Sequence, residues 1–162
     1  MRSNQKGFTL IELLVVISII GVLSTIAMTS LNGAKVKARN ARKQVDFNNI
    51  YNALNVFYAT NNRMPNNYHP CCGACEGDGY YERSMQELVD AGVLSAIPKS
   101  PDDSKYCYYN YGPDNAAGAI MVTSLIGQPN TTTGPFGSCR PFSDNWCGTD
   151  YASNYYCICT TY

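Results

Sequence analysis

The sequence predicts an α+β fold, in which one long N-terminal helix packs on a small antiparallel sheet. Residues 8–31 form an apolar run whose only charged residue is Glu12. A helical pattern of apolar residues continues to about residue 61, and short aromatic or apolar segments separated by turn residues follow beyond it. A helix that must cover its apolar face and several short strands are typical of this fold class.

The apolar run is long enough to cross a membrane. It contains 24 residues, and a helix needs roughly 20 apolar residues to span ~30 Å of hydrocarbon. The residues before it are short and basic, with Arg2 and Lys6, and no small-x-small cleavage site follows the run. We therefore expect the apolar segment to be retained as a membrane anchor.

The second half of the helix is amphipathic. Its aromatic and aliphatic residues recur every three or four positions; they are Phe47, Ile50, Tyr51, Leu54, Phe57 and Tyr58. The pattern ends at Asn61, shortly before Pro65. A single helix from Phe8 to Ala59 would be ~78 Å long at 1.5 Å per residue. We expect four parts: residues 1–7, 8–31, 32–63, and a head at 64–162.

Within the head, the pattern predicts a short helix at 83–94 and strands at 105–111, 117–127 and 154–162. The two loops at 61–84 and 127–153 are rich in Gly, Pro, Asn and Ser or Thr. Loops of this length in a compact unit are usually functional or pinned.

The cysteine content predicts disulfides and an extracytoplasmic head. All eight cysteines lie beyond residue 70: Cys71, Cys72, Cys75, Cys107, Cys139, Cys147, Cys157 and Cys159. An even number at this density is typical of an oxidising compartment. Metal binding is the competing interpretation, but the Cys-x-Cys pair is a poor zinc spacing and His69 is the only histidine. We expect no metal and no cofactor, and the connectivity stays open.

The start of the apolar run carries a specific motif. Lys6 is followed by Gly7, Phe8, Thr9, Leu10, Ile11 and Glu12. This stretch resembles the leader junction of type IV prepilins and type II secretion pseudopilins. The resemblance implies that a prepilin peptidase cuts after Gly7 and that the new N-terminus, Phe8, is N-methylated.

The cost of a carboxylate in lipid indicates a role for Glu12 independently of that resemblance. A carboxylate within an apolar helix is costly in lipid unless it has a partner, so it is a functional residue by default. Cleavage after Gly7 would create an ammonium on Phe8, and the same group on a neighbouring subunit is a natural counter-charge. The resemblance makes Glu12 the assembly residue, and the alternative is a carboxylate that snorkels to the membrane surface.

The resemblance implies a filament subunit and not an enzyme. The partners would be further copies, other pilin subunits, the prepilin peptidase, and an assembly platform with its ATPase. The chain would sit in the cytoplasmic membrane before assembly and in a cell-surface filament afterwards. Relatives often carry a calcium loop near the C-terminus, but Asp144 and Asp150 do not reproduce it, so no metal site is transferred.

Residues 32–63 hold six positive side chains against Asp46 alone: Lys35, Lys37, Arg39, Arg42, Lys43 and Arg63. The positive-inside rule favours a cytoplasmic location for the more basic side of a membrane helix. Applied to this excess, it would place the head in the cytoplasm, whereas the motif and the cysteines predict an extracytoplasmic head. We interpret the excess as a solvated or intersubunit face. DNA and anionic lipid are alternative partners, although no aromatic residue alternates with the cations as in a base-stacking site.

Two other functions stay open. A minor pilin that acts as a DNA-uptake receptor or an adhesin would share the same N-terminal motif. A membrane-anchored thiol oxidoreductase would use Cys72 and Cys75 as a Cys-x-x-Cys pair beside His69. No thioredoxin-like strand precedes that pair, and Gly and Pro surround it.

Overall fold

The computed structural model describes residues 7–69, 73–112, 118–127, 133–134, 137–138 and 155–160. In chain order the elements are α1 (Leu10–Asn61), β1 (Ala74–Cys75), α2 (Tyr80–Asp90), β2 (Cys107–Asn110), β3 (Ala119–Ser124), β4 (Thr133–Gly134), β5 (Gly137–Ser138) and β6 (Tyr155–Thr160). The chain divides after Ala38 into two units, and α1 contributes residues to both. The predicted α+β fold is confirmed.

The first unit contains the apolar half of α1. Large apolar side chains are exposed here, from Phe8 and Leu10 to Met28 and Leu31. By length and composition, α1 is the one helix among the described residues that could cross a membrane. Aliphatic side chains exposed in this way are stable in hydrocarbon and unstable in water.

The second unit has its core along one face of α1. Phe47, Ile50, Leu54 and Phe57 are buried, because residues three and four apart share one side of a helix. Tyr51 and Tyr58 pack partly buried at the edges of the same core, as do residues of the turn after α2. The predicted apolar stripe is therefore confirmed.

The main sheet has the strand order β1-β2-β3-β6, and every neighbouring pair is antiparallel. One face, which includes Tyr108, Met121 and Ile158, belongs to the core around α1 and α2. The opposite face forms a second buried cluster around Ile120 and Val122. Five of the six residues of β3 are therefore buried, on both faces of the sheet.

The three predicted strands contain β2, β3 and β6, whereas the two-residue strands β1, β4 and β5 were not predicted and lie in segments that were predicted as loops. Helix α2 begins three residues earlier than predicted. Asp78 accepts hydrogen bonds from the backbone N–H groups of Tyr80 and Tyr81 at 2.7 and 3.0 Å. These bonds satisfy amides that have no partner inside the helix. Gly92 ends the segment with a φ of 70°, which glycine adopts without strain.

A disulfide joins Cys75 of β1 to Cys107 of β2. The two residues are direct partners in the strand register, and their Cα atoms are 4.0 Å apart. Cys157 and Cys159 on β6 are also disulfide-bonded. The other four predicted disulfide candidates, Cys71, Cys72, Cys139 and Cys147, lie outside the described residues.

Removing the Cys75–Cys107 bond should destabilise the head without blocking insertion of α1. The bond closes a loop over a separation of 32 residues, for which chain entropy predicts a loss of about 3–4 kcal/mol. We expect a Cys75→Ser/Cys107→Ser variant to show this loss in chemical unfolding of the full chain in detergent. Ser95→Ala, a change at an exposed small residue, is the control, and an equal midpoint for both variants would contradict the prediction.

Candidate assembly site and basic segment

The Gly7–Phe8 peptide bond lies outside α1. Residues 7–9 have no regular secondary structure, and α1 begins at Leu10. The Phe8 side chain is 79% exposed, and a Cβ added at Gly7 would meet no atom within 4 Å. A protease needs an accessible, non-helical stretch of backbone, and this junction provides one.

Thr9 and Glu12 form a reciprocal capping box at the start of α1. The Thr9 backbone N–H and hydroxyl donate to Glu12 Oε2 at 2.9 and 2.7 Å. In return, the Glu12 backbone N–H donates to Thr9 Oγ1 at 3.3 Å. Two backbone donors at the helix start are thereby satisfied. Thr-Leu-Ile-Glu matches the capping-box pattern, so the sequence carries the signal for this second role of Glu12 beside its charge.

The capping box leaves the charge of Glu12 unneutralised. Both hydrogen bonds from Thr9 go to Oε2, and Oε1 accepts none from the described residues. In that part of the chain no Lys or Arg lies within ion-pair distance of the carboxylate. Glu12 can therefore cap its own helix and still accept an external cation.

The basic segment, defined here as residues 35–43, is divided by the structure into paired and unpaired cations. Lys43 is fully buried, and its ammonium lies 2.8 Å from Asp102 Oδ2. It also donates to the Ser124 backbone oxygen at 2.8 Å. The interpretation of this segment as a wholly solvated or intersubunit face is therefore wrong for Lys43. Its place on the helical stripe, four residues before Phe47, was the signal that sequence reasoning missed.

The other cations follow two patterns. Arg42 lies 3.8 Å from Asp46 on the next turn, and Arg63 lies 2.7 Å from Glu87 of α2. Lys35, Lys37 and Arg39 are exposed. Among the carboxylates that the structure describes, none forms an ion pair with these three. They are the unpaired cations of the basic segment.

Asp102 is held ionised by its neighbours. Burial opposes the charge, but hydrogen bonds from Lys43 and Ser104 and the charge of Lys43 outweigh it and lower the pKa of Asp102 to about 2. The Ser104 backbone N–H donates to Asp102 Oδ1 at 3.0 Å. The loop that carries Asp102 is thereby fixed against α1.

Two further polar contacts hold α1 to the head. The Asn40 side-chain amide donates to the Ile126 oxygen at 2.9 Å and accepts from the Ile126 N–H at 3.1 Å. The Tyr106 hydroxyl donates to Asp46 Oδ2 at 2.9 Å. Burial and the hydrogen bond to Asp46 raise the pKa of Tyr106, so it remains a neutral donor.

The alternative catalytic and metal sites are not supported by the geometry. Cys75 is bonded to Cys107, so it is not available as the second cysteine of a Cys72–Cys75 redox pair. The His69 ring packs edge-on against Tyr80, with 5.0 Å between centroids. The described residues contain no group of three metal-ligating side chains. Asp144 and Asp150 lie outside those residues.

Comparisons with known proteins agree with the N-terminal geometry. The profile of the prokaryotic N-terminal methylation motif matches residues 2–28. The type II secretion system core protein G of Pectobacterium carotovorum subsp. carotovorum is 40% identical over 130 residues, which cover 79% of this chain and 81% of that protein. The chain belongs to the type IV pilin and type II secretion pseudopilin family.

Two further members of this family also match. Core protein G of Aeromonas hydrophila is 30% identical over 105 residues, 65% of this chain and 64% of that protein, so the match spans slightly less than two thirds of its length. The type IV major fimbrial protein FimA of Dichelobacter nodosus is 27% identical over 129 residues, 77% of this chain and 82% of FimA. No solved structure gave a significant match.

Substituting Lys43 should lower the free energy of unfolding, because it breaks the contact between α1 and the loop that carries Asp102. Lys43→Met keeps an unbranched apolar side chain in place of the lysine stem but leaves the Asp102 carboxylate without its counter-charge. Losing one partner of a buried pair costs about 3–5 kcal/mol. Chemical unfolding of the full chain in detergent, followed by near-ultraviolet circular dichroism, measures the loss.

Arg42→Met is the matched control, because Arg42 is exposed in its pair with Asp46 and exposed pairs contribute about 1 kcal/mol or less. The assignment is wrong if the two variants unfold at the same denaturant concentration. A Lys43→Met/Asp102→Asn variant should recover part of the loss, since the uncompensated charge is gone.

Stability should fall when Asp102 is protonated. Its pKa is about 2 in the folded chain and ~3.9 in an unfolded chain. The depressed value means that the ion pair contributes fully above about pH 4 and that the contribution is lost as the pH falls towards 2. We expect the difference in unfolding free energy between the parent and Asp102→Asn to shrink over that interval. A difference that stays constant from pH 5 to pH 2 would contradict this.

Proposed function

We propose that this chain is the repeating subunit of a type II secretion pseudopilus. It is made as a membrane-inserted precursor, cut between Gly7 and Phe8 by a prepilin peptidase and methylated on Phe8. Its copies then polymerise through α1, with Glu12 as the assembly carboxylate. The observation that carries the proposal is the combination at the start of α1: an accessible Gly7–Phe8 bond, followed on the exposed apolar half of the helix by a carboxylate without a cation partner among the described residues.

The exposed apolar surface of α1 supports polymerisation. A helix with aliphatic side chains exposed on all sides needs lipid or other helices around it. Lipid provides that environment before assembly, and the α1 helices of neighbouring copies provide it in a filament core. Pseudopilin copies would thus exchange one apolar environment for another without exposing these side chains to water.

The charge of Glu12 supports a specific stagger between copies. Apolar helix surfaces can slide past one another, whereas a carboxylate in an apolar core needs one defined partner. The ammonium created at Phe8 by cleavage is such a partner, and Oε1 of Glu12 has no hydrogen bond from the described part of its own chain. Assembly would therefore depend on prior cleavage.

The choice of a pseudopilus over a pilus rests on the 40% identity with the Pectobacterium core protein G, against 27% with FimA. A type IV pilus subunit is the second candidate, because the match to FimA covers a similar share of the chain. Filaments of the native host separate the two. They should disappear when the ATPase of the secretion system is deleted and persist when a pilus ATPase is deleted.

Glu12→Gln separates the two roles of this side chain. Glutamine also satisfies a capping box, so the variant keeps the start of α1 but loses the negative charge. We expect normal cleavage and at least a tenfold loss of incorporation into filaments, measured by quantifying the chain in sheared filament and membrane fractions. Glu12→Ala, which loses both cap and charge, is the comparison.

Filament incorporation of Glu12→Gln at the parent level would show that capping is the whole role of Glu12 and would overturn the assembly proposal. A Gly7→Leu variant tests cleavage separately. The open space around Gly7 accommodates the side chain, so the chain should fold but remain uncut. N-terminal peptide mass should show N-methylated Phe8 in the parent and an uncut junction in Gly7→Leu.

A further inference from the structure

The six cations of residues 32–63 are not equivalent. Three have intramolecular carboxylate partners: Lys43 with Asp102, Arg42 with Asp46, and Arg63 with Glu87. The three unpaired cations, Lys35, Lys37 and Arg39, are consecutive in the series and come first after the apolar run. The excess positive charge is therefore concentrated immediately beside the membrane-spanning part of α1.

The positions of these cations match the depth of lipid head groups. The apolar run ends at Leu31, and Lys35 and Lys37 lie four and six residues further along α1. At 1.5 Å per residue these separations are ~6 and ~9 Å. The hydrocarbon core is ~30 Å thick, and the head-group layers bring the bilayer to ~40–45 Å. Each head-group layer is thus roughly 5–8 Å deep, within reach of a lysine side chain.

Lys35 and Lys37 lie on opposite sides of the helix. They are two residues apart, which turns their side chains by ~200°. A duplex DNA or a single protein carboxylate would be met by cations on one side. Lipid phosphates surround a membrane helix on every side.

We propose that Lys35 and Lys37 bind the phosphate groups of anionic phospholipids and hold the precursor at a fixed depth in the membrane. This proposal rests on the membrane-inserted stage of the proposed function but not on polymerisation. It explains why these cations have no carboxylate partner among the described residues, whereas those further along the chain do. It also separates them from Lys43, whose charge serves the fold.

The test uses the full uncut chain purified in a neutral detergent. Native mass spectrometry measures the binding of dioctanoyl phosphatidylglycerol and dioctanoyl phosphatidylcholine. Each cation near a membrane surface contributes about fivefold in affinity for anionic lipid. We expect the parent to prefer phosphatidylglycerol by at least fivefold, and Lys35→Gln/Lys37→Gln to lose most of that preference.

The matched control is Lys99→Gln/Lys105→Gln, which removes the same charge from two exposed lysines of the head. This variant should keep the parental preference. An unchanged preference in Lys35→Gln/Lys37→Gln, or an equal loss in both variants, overturns the proposal. So does a parent that binds a 20-base-pair DNA duplex through Lys35 and Lys37 while showing no lipid preference, because the surface would then serve nucleic acid.

The two proposals fail in different ways. The lipid measurement needs no peptidase or assembly machinery. If the parent chain is neither cut nor polymerised in its host but shows the expected lipid preference, the proposed function is contradicted and the lipid site is not. Conversely, a Lys35→Gln/Lys37→Gln chain that is cut and polymerised normally is compatible with a lipid role confined to the precursor. The lipid site itself is overturned by a parent without lipid preference, or by a preference that does not depend specifically on Lys35 and Lys37.

Discussion

The structure depends on the continuity of α1 across a change of environment. A helix satisfies its backbone hydrogen bonds within itself, so the same backbone is stable in lipid and against protein. Only the side chains need to change along it. They are mostly apolar up to Leu31, and from Asn40 onward one face is buried while the other is exposed and mostly polar. One face of the main sheet, helix α2 and the turn after α2 share a single core with the second half of α1.

Polar contacts give the packing between α1 and the head a single register. Apolar side chains tolerate shifts and repacking, so the stripe of Phe47 and Leu54 alone would fix the position only loosely. Asn40, Lys43 and Asp46 follow one another at three-residue spacing, and each has a different partner in the head. A shift along the helix axis would leave buried polar groups unsatisfied, which is costly.

The sequence predicted elements whose signal is local and repeated. The stripe of α1 and the alternation in β2, β3 and β6 have many members, so a pattern survives individual exceptions. The two-residue β1 and the partner of Cys75 depend on tertiary contact and have no local signal. Lys43 was misassigned because its charge was weighed without its place on the buried stripe. The capping role of Glu12 was missed although Thr9 provided the motif.

The charges of the apolar half of α1 stand near its two ends. Glu12 and Lys35 are 23 residues apart, or ~35 Å along a helix, which lies between the thickness of the hydrocarbon core and that of the whole bilayer. The precursor can thus place both charges near the polar layers while the residues between them stay in hydrocarbon. In the proposed assembly, extraction into a filament would move Glu12 into an apolar surrounding and would remove the lysines from lipid phosphate. Both charges would then need new partners, and the ammonium that cleavage would create on Phe8 could pair with only one of them. The lysines would need acidic side chains of neighbouring heads, so cleavage alone would not complete the electrostatics of the proposed assembly.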